Sequence, residues 1–213
     1  MDISTPIKSS QYYKMINKII NRIFKGSKPV NHLDQYIKNG HIVVGKNCKL
    51  QQLKIYISDP ENQVNYITIG DDCMISGSIF IQGKNARVNI GNGVFIGNDT
   101  KLFCREKITV GDDIMISWGC TLIDTNAHSL HSSERLSDVR DWIKGEQLKN
   151  WDVVESKPIT IENLSWIGFN SIVTKGVTIK KGTVIGCGSV LTKSTEAFGV
   201  YGGNPATLIK KTD

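Results

Sequence analysis

The chain has 213 residues, 39% hydrophobic and 22% charged, which is enough for one sizeable core and typical of a globular protein. It contains no run of about 18 apolar residues, so we expect no membrane-spanning helix, and its first twenty residues do not resemble a signal peptide. The net charge of +6 is compatible with anionic ligands or a membrane surface, although lysines that only maintain solubility give the same balance.

Cysteine usage argues against both a zinc knuckle and a disulfide framework. The cysteines are odd in number, widely scattered and without any C-x-x-C spacing. We therefore expect a reducing, cytoplasmic environment. The five are Cys48, Cys73, Cys104, Cys120 and Cys187.

The first segment, residues 1–40, is predicted to be helical and distinct from the rest of the chain. Apolar residues recur at helical spacing within residues 9–25, namely Tyr12, Ile16, Ile19, Ile20 and Ile23. Gly26 and Pro29 end the predicted helix. This apolar stripe is typical of a helix that packs on its own domain or on a neighbouring subunit. The opposite side of the predicted helix is basic, so peripheral membrane proximity is a second interpretation.

From about residue 41 a period of six replaces the helical period, which predicts a single repeat domain over residues 41–213. In its C-terminal half an aliphatic residue recurs without a break at Ile161, Ile167, Val173, Ile179, Ile185 and Leu191. The fourth residue after each is small or β-branched: Ser165, Ser171, Val177, Thr183, Ser189 and Thr195. Upstream the same register runs through Ile90, Ile96 and Leu102, shifts by two, and resumes at Val110, Ile116 and Leu122.

A period of six predicts a three-sided prism. Each unit supplies a short strand and a turn, so three units, or roughly 18 residues, return the chain to the same face. Successive coils then pair as parallel strands about 4.8 Å apart. The aliphatic residue fills the interior and the small residue fits where the faces converge. Cys73 and Cys120 occupy the small position, so we interpret them as core residues.

The pattern [Ile/Leu/Val]-Gly-x-x-small-x, as in Ile167-Gly168 and Ile185-Gly186, resembles that of the hexapeptide-repeat transferases. The resemblance implies an all-β fold, a left-handed parallel β-helix, with an N-terminal helix, one long projecting loop and a short C-terminal tail or helix. The handedness comes from the resemblance alone, because connections between parallel strands are normally right-handed. The ends and flat faces of such a solenoid must be covered by capping segments or partner subunits.

The repeat is interrupted at His128, which stands where the next aliphatic residue is due, and resumes near Ile159. The intervening residues, 129–158, do not fit inside the prism and are predicted to project as a loop. Trp142 and Trp151 argue against a loop that is merely solvated. An imidazole titrates near neutrality, so His128 can take a proton from an alcohol and later release it.

The segments around this interruption resemble the galactoside, maltose and capsule or O-antigen O-acetyltransferases. The matching segments, between about residues 65 and 211, are Thr125-Asn126-Ala127-His128, a loop, KPITIENLSWIGFNSIVTKGVTI and GNPATLIKK. The resemblance implies that His128 is the general base that activates a sugar hydroxyl for direct attack on acetyl-coenzyme A, with His131 as the weaker rival. Asp124 or a backbone carbonyl is expected to orient the imidazole. A backbone N–H or the Trp151 indole is expected to stabilise the oxyanion.

The same resemblance implies that coenzyme A lies in a groove between two prisms of a homotrimer, along the C-terminal coils. Lysines would contact the nucleotide phosphates, and no metal is expected to be required. The expected cosubstrate-binding residues are Trp166, Ser171, Gly186, Ser189, Thr192, Lys193 and Lys210.

Four residues are candidates for binding the acceptor: Asn98, Asp99, Asn126 and Trp142. Turn chemistry at coil corners explains the three Asn and Asp residues equally well. The chain departs from the small-sugar enzymes in the Ser129-Leu130 that follows His128, in its longer loop and in residues 1–40. These departures favour a polysaccharide or lipid-linked surface glycan over galactoside or maltose.

Three alternatives compete with an O-acetyltransferase. An N-acyltransferase on an amino-sugar nucleotide ranks second, because residues 1–60 lack the Gly-rich loop with which many such relatives bind a nucleotide. A zinc hydro-lyase of the left-handed-helix carbonic anhydrase type needs three spaced His ligands, yet His32 and His41 precede the repeat. A non-catalytic scaffold does not explain the interruption at His128. No nucleic-acid partner is expected.

Overall fold

The computed structural model describes residues 32–145 and 148–212, in which strands predominate. A short helix, α1 (His32–Lys38), precedes the first strand, and a second, α2 (Asp138–Lys144), lies in the inserted loop. The helix predicted over residues 9–25 falls outside the described residues, so the proposed division at residue 40 stays a prediction. Within the described ranges, no helix is both long and apolar enough to span a membrane.

The strands wind into a parallel solenoid with three faces. Face I consists of β1 (Ile42–Val44), β3 (Ile67–Ile69), β5 (Arg87–Ile90), β8 (Lys107–Val110), β11 (Ile159–Ile161) and β14 (Thr178–Ile179). Face II contains β6 (Phe95–Ile96), β9 (Met115–Ile116), β12 (Trp166–Ile167), β15 (Val184–Ile185) and β17 (Gly199–Gly203). Face III contains the C-terminal part of β2 (Lys49–Ile57), β7 (Lys101–Cys104), β10 (Thr121–Ile123), β13 (Ile172–Thr174) and β16 (Val190–Leu191). The long β4 (Met74–Ile81) runs from face II onto face III and joins the two.

The register between coils accounts for the period of six. Ile161 pairs with Ile179, eighteen residues further along the chain, so one regular coil is three repeats long. Ile108 pairs with Ile159, because the inserted loop lies within that coil. The aliphatic repeat positions and the small positions are all buried, the latter at most 6% exposed. The prism interior is therefore the core, and Cys73 and Cys120 belong to it as predicted.

Two edges of the prism carry the residues of functional interest. The loop corner comprises the turns between faces III and I, namely residues 105–106, 124–158, 175–177 and 192–193. The tryptophan corner comprises the turns between faces II and III, namely residues 97–100, 117–120, 168–171 and 186–189. It carries the exposed, stacked rings of Trp118 and Phe169. Within one chain, a full strand of face III separates the two corners.

The inserted loop leaves and re-enters the prism at one point. Thr125 forms a bridge with Ser156, and the backbone N–H of Asn126 donates to the carbonyl of Glu155. The Glu155 carboxylate accepts from Lys157 and Lys175, which lowers its pKa to about 2. The base of the loop is therefore closed, as a projection from one corner requires.

The C-terminal tail forms a strand rather than the short helix that the sequence also allowed. β18 (Ala206–Lys211) pairs antiparallel with β17 across the turn at Asn204-Pro205. A strand forms here because it pairs the backbone N–H and C=O groups of β17, which would otherwise be exposed at the end of face II.

Neighbouring residues on β7 test which side of the strand faces the core. Leu102 is 1% exposed and Lys101 is exposed. We expect Leu102→Ala to lower the free energy of unfolding by about 2–5 kcal/mol, because it leaves a cavity in the prism. Lys101→Ala should change it by less than about 0.5 kcal/mol. Urea unfolding followed by circular dichroism measures both, and equal effects would contradict the assigned register.

Candidate active site

His128 lies where the chain leaves the prism at the loop corner. Leu122, six residues earlier, fills the core, whereas the His128 side chain is 38% exposed. Ala127 adopts a φ of +60°, a left-handed conformation that turns the chain outward just before the imidazole. His128 therefore occupies the repeat register in sequence but stands outside the core, where a ligand can reach it.

The His128 imidazole is held by Asp138, in the first turn of α2. Asp138 Oδ2 makes a very short contact with His128 Nδ1, and the carboxylate is only 6% exposed. A carboxylate oxygen and an unprotonated ring nitrogen would repel each other, so this contact assigns the proton to Nδ1. Nε2 is then the basic nitrogen, pointing away from Asp138. Hydrogen bonds from His128 and Lys149 hold the pKa of Asp138 below its usual range.

Asp124 does not orient the imidazole, contrary to our expectation. It is fully buried, and its carboxylate accepts the backbone N–H groups of Arg105, Glu106 and Lys107. Burial raises its pKa, an effect that these backbone hydrogen bonds oppose. Asp124 thus serves as the hydrogen-bond acceptor for the backbone N–H groups in the turn of the preceding coil. Asp138 was missed because it lies ten residues beyond His128, and only the fold of the loop brings it back.

Lys149 completes the cluster from the far side of the loop. Its side chain is 0% exposed, and its Nζ donates to the carbonyl of Ala127 and lies 3.2 Å from Asp138 Oδ2. Nζ is also 3.1 Å from His128 Nδ1. A buried ammonium is costly unless it is paired, and here a carboxylate and a carbonyl compensate it. No pattern in the sequence distinguished Lys149 from the other lysines.

The two loop tryptophans surround this cluster. Trp142 meets the His128 ring edge-on, with 5.1 Å between ring centroids, and Lys149 Nζ lies 4.9 Å from its ring centre. Trp151 packs against Lys149 at 4.6 Å and against the Arg105 guanidinium at 4.7 Å. These are cation–π distances. The tryptophans therefore have a structural reason to be in the loop, and the substrate and oxyanion roles expected of Trp142 and Trp151 stay predictions.

A polar cleft of about 600 Å³ opens at the same corner. Its walls include Ser58, Gln82, Arg105, Asn150, Trp151 and Asp152. Lys149 reaches this cleft, but His128 does not line it. Because Nε2 points away from Lys149, the cleft is not where a hydroxyl would meet the base. The rival base, His131, is exposed, and its ring forms no hydrogen bond or ion pair within residues 32–145 and 148–212.

The acceptor candidates are divided between the two corners. Asn98 and Asp99 are exposed at the tryptophan corner, beside Trp118, and Asp99 adopts a φ of +60°. That conformation gives Asp99 a turn role, since Asp tolerates it better than most residues. Asn126 lies at the loop corner, two residues before His128, and its backbone N–H closes the base of the loop. A single chain therefore does not bring Asn98 and Asp99 to the base.

Two expected cosubstrate contacts are contradicted. Ser171 and Ser189 lie inside the prism, 0% and 1% exposed, and both hydroxyls donate to the Gly186 carbonyl. Their small size serves core packing, so their side chains are closed to a ligand on the outer surface. Gly186 belongs to the tryptophan corner.

The other expected cosubstrate residues are accessible. Trp166 is 45% exposed on face II, with its Nε1 donating to Ser117 Oγ, and Lys210 is exposed on β18. Thr192 and Lys193 are exposed at the loop corner. These side chains can face a linear thiol arm and its phosphates, but they lie on different sides of one prism. Among the described residues, no three His, Cys, Asp or Glu side chains are grouped as a metal site.

Two curated relatives align with about two thirds of this chain. A polysialic acid O-acetyltransferase of Escherichia coli O1:K1 / APEC is 33% identical over 150 residues, 68% of this chain and 43% of the relative. A galactoside O-acetyltransferase of Escherichia coli (strain K12) is 29% identical over 147 residues, 68% of this chain and 64% of the relative. The chain thus matches less than two thirds of the length of either relative. No family model matches it.

Solved structures share the fold at lower identity. A mutant of AntD, an N-acyltransferase from Bacillus cereus in complex with dTDP and coenzyme A, superimposes with a TM-score of 0.63 at 24% identity, covering 84% of this chain and 89% of that chain. A hexapeptide-repeat acetyltransferase of Vibrio cholerae O1 biovar eltor with acetyl coenzyme A gives 0.56 at 18% identity, covering 99% and 93%.

The three-faced parallel coil, the buried six-residue ladder and the interruption at His128 define a hexapeptide-repeat protein with a left-handed β-helix, as the sequence predicted. The curated relatives add that the chain is similar in sequence to acyltransferases of the hexapeptide-repeat kind.

The pairing of Asp138 predicts an acid-sensitive loop. Because the pKa of Asp138 is lowered, its contribution is complete above the unfolded value of about 3.9 and is lost as the pH falls through the lower folded value. We expect the loop to detach below about pH 4, seen as a change in tryptophan fluorescence when Trp118 and Trp166 are both replaced by Phe. In Asp138→Asn this transition should be absent, and an unchanged transition would contradict the assignment.

Proposed function

We propose that the protein is an acetyl-coenzyme A-dependent O-acetyltransferase that acts on a sugar hydroxyl, with His128 as general base. The observation that carries the proposal is the His128–Asp138 pair, which leaves Nε2 as the basic nitrogen at the mouth of the loop. The curated relatives, named as O-acetyltransferases of polysialic acid and of galactosides, support the chemistry.

In the proposed reaction, His128 Nε2 accepts the proton of the sugar hydroxyl as its oxygen attacks the thioester carbonyl. Asp138 stabilises the imidazolium that forms, because its carboxylate stays ionised beside Nδ1. The tetrahedral intermediate then collapses to the acetyl ester, and the imidazolium returns its proton to the departing thiolate. The oxyanion donor is a backbone N–H or the indole of Trp151, the two candidates that the sequence suggested.

We further propose that the acceptor is a surface glycan of the capsule or O-antigen type. The first relative, named for polysialic acid, supports a polymeric acceptor. The long loop gives the same support, since Trp142 lies against the His128 ring and extends the exposed surface beside the base. The chain is proposed to act in the cytoplasm without a nucleic-acid partner, and peripheral membrane proximity through residues 1–40 stays a hypothesis.

A homotrimer is proposed because one chain holds two halves of a site on separate edges. His128, Asn126, Thr192 and Lys193 lie at the loop corner, whereas Asn98, Asp99 and Gly186 lie at the tryptophan corner. Face II, beside the latter, exposes an apolar column that includes Met74, Met115 and Trp166. Cyclic packing would bring the loop corner of one chain against the tryptophan corner of the next and cover this column.

An N-acyltransferase acting on an amino-sugar nucleotide is the second candidate. The observation that favours it is the superposition on AntD, whose solved complex contains dTDP and coenzyme A. At 24% identity that likeness concerns the fold, so we rank the amide-forming reaction below the ester-forming one. The two differ in their products, because an O-acetyl ester is labile to mild alkali and an amide is not.

Replacing His128 tests the central assignment. We expect His128→Ala to lower kcat for acetyl transfer to a glycan by about 10²–10⁴-fold, because the hydroxyl loses its base. His131→Ala, a matched change three residues away, should retain activity. The measurement is the release of free coenzyme A thiol, with alkaline hydrolysis of the product to identify the ester. Full activity in His128→Ala would contradict the proposal.

Mixed oligomers test the shared site. We expect Asn98→Ala and His128→Ala to be nearly inactive alone, each damaging a different corner. Unfolding and refolding them together in equal amounts should restore about a quarter of the wild-type activity, because that share of random interfaces joins two intact corners. Wild-type protein refolded alone sets the reference. Mixtures that stay inactive, although they assemble, would show that both corners act within one chain.

A further inference from the structure

Among the lysines of residues 32–145 and 148–212 that form ion pairs, Lys149 alone has a fully buried side chain. Its ammonium is enclosed by the faces of Trp142 and Trp151, and it donates to the Ala127 carbonyl at the edge of the prism. It therefore ties the far end of the loop to the residue that precedes the base. A surface lysine that only maintains solubility would not be placed there.

The position of Lys149 also bears on the proton of His128. Its Nζ is 3.1 Å from Nδ1, so an ammonium N–H could itself donate to an unprotonated Nδ1 and leave the proton on Nε2. The Asp138 carboxylate against Nδ1 rules out that arrangement, because two lone pairs would then meet. Lys149 instead shares Asp138 Oδ2 with the imidazole, so that the ammonium and the ring N–H both face the same carboxylate oxygen.

We propose that Lys149 is a positioning residue that docks the loop and holds the Asp138 carboxylate against His128, so that the imidazole proton lies on Nδ1 and the basic lone pair on Nε2. The consequence for catalysis rests on the proposed acetyl transfer, whereas the state of the imidazole does not. Without the ammonium, the loop would lose the contact that holds the Asp138 carboxylate beside Nδ1, and the ring proton could then lie on Nε2, where no lone pair would remain for the proton of a hydroxyl.

The charged groups around the imidazole are few in the described structure. Asp138 faces it from α2, and Lys149 faces it from the segment after α2. Arg105, at the prism corner, lies beyond Trp151 and is not in contact with the ring. Asp124 at the same corner is enclosed by backbone N–H groups. A change in the tautomer of His128 on loss of Lys149 can therefore be assigned to that ammonium.

The wild-type protein provides the first test, without any variant that could misfold. Long-range ¹H–¹⁵N correlation spectra of the uniformly labelled protein report which ring nitrogen carries the proton. The His128 signals are assigned by their loss in His128→Gln. At a pH at which the ring is neutral, we expect its proton on Nδ1. A proton on Nε2 would overturn the proposal.

Removal of the ammonium provides the second test. In Lys149→Met we expect additional His128 signals with the proton on Nε2, and kcat to fall while KM changes little, because part of the protein then lacks the basic lone pair. Lys144→Met is the matched control: Lys144 is also in the loop but exposed, and it pairs with Asp141, so the His128 signals should match those of the wild type. A single tautomer protonated on Nδ1 in a folded Lys149→Met protein would overturn the proposal.

The two tests separate this proposal from the proposed function. If the wild-type protein transfers no acetyl group to any glycan, the O-acetyltransferase assignment fails, yet the spectra still decide the tautomer and the influence of Lys149. If transfer occurs but the ring carries its proton on Nε2, the assignment of the reaction class stands and the role of Lys149 is refuted.

Discussion

The whole structure depends on the stacking of one coil on the next. Parallel hydrogen bonding fixes the spacing between coils, and three inward ladders of aliphatic and small side chains fill the space that remains. Because every coil repeats the same inward positions, no ligand can be held inside the prism. Chemistry is confined to the outward side chains and to the corners, and a large departure from the repeat must project from a corner, as residues 124–158 do.

The loop then has to position a reactive group without a core of its own. It does so by electrostatics: Asp138 from α2 and Lys149 from the segment after α2 meet at His128, and the Lys149 ammonium packs between two indole rings. Each charge would be costly to bury alone, and together with the Ala127 carbonyl they compensate one another. The order of the loop and the state of the imidazole are therefore coupled, because the same carboxylate serves both.

The repeat made the prism predictable, and the interruption made His128 predictable, because both are patterns along the chain. Asp124 was expected beside the imidazole since it is close in sequence, but its carboxylate is used by the turn at residues 105–107. Ser171 and Ser189 were expected to contact the cosubstrate because the resemblance places coenzyme A along the C-terminal coils. The period itself places them inside, where their hydroxyls bond to the Gly186 carbonyl.

The sequence by itself determined the three-sided coil, its core residues and the point at which the loop leaves it, because a period of six admits one way to bury an aliphatic residue in every unit. The tertiary structure alone decided what surrounds His128. Asp138 and Lys149 lie ten and twenty-one residues beyond it, and only the closure of the loop, through Thr125 with Ser156 and Lys149 with Ala127, brings them together. Contacts between residues so far apart in the chain depend on how the loop folds, and no local sequence pattern encodes that.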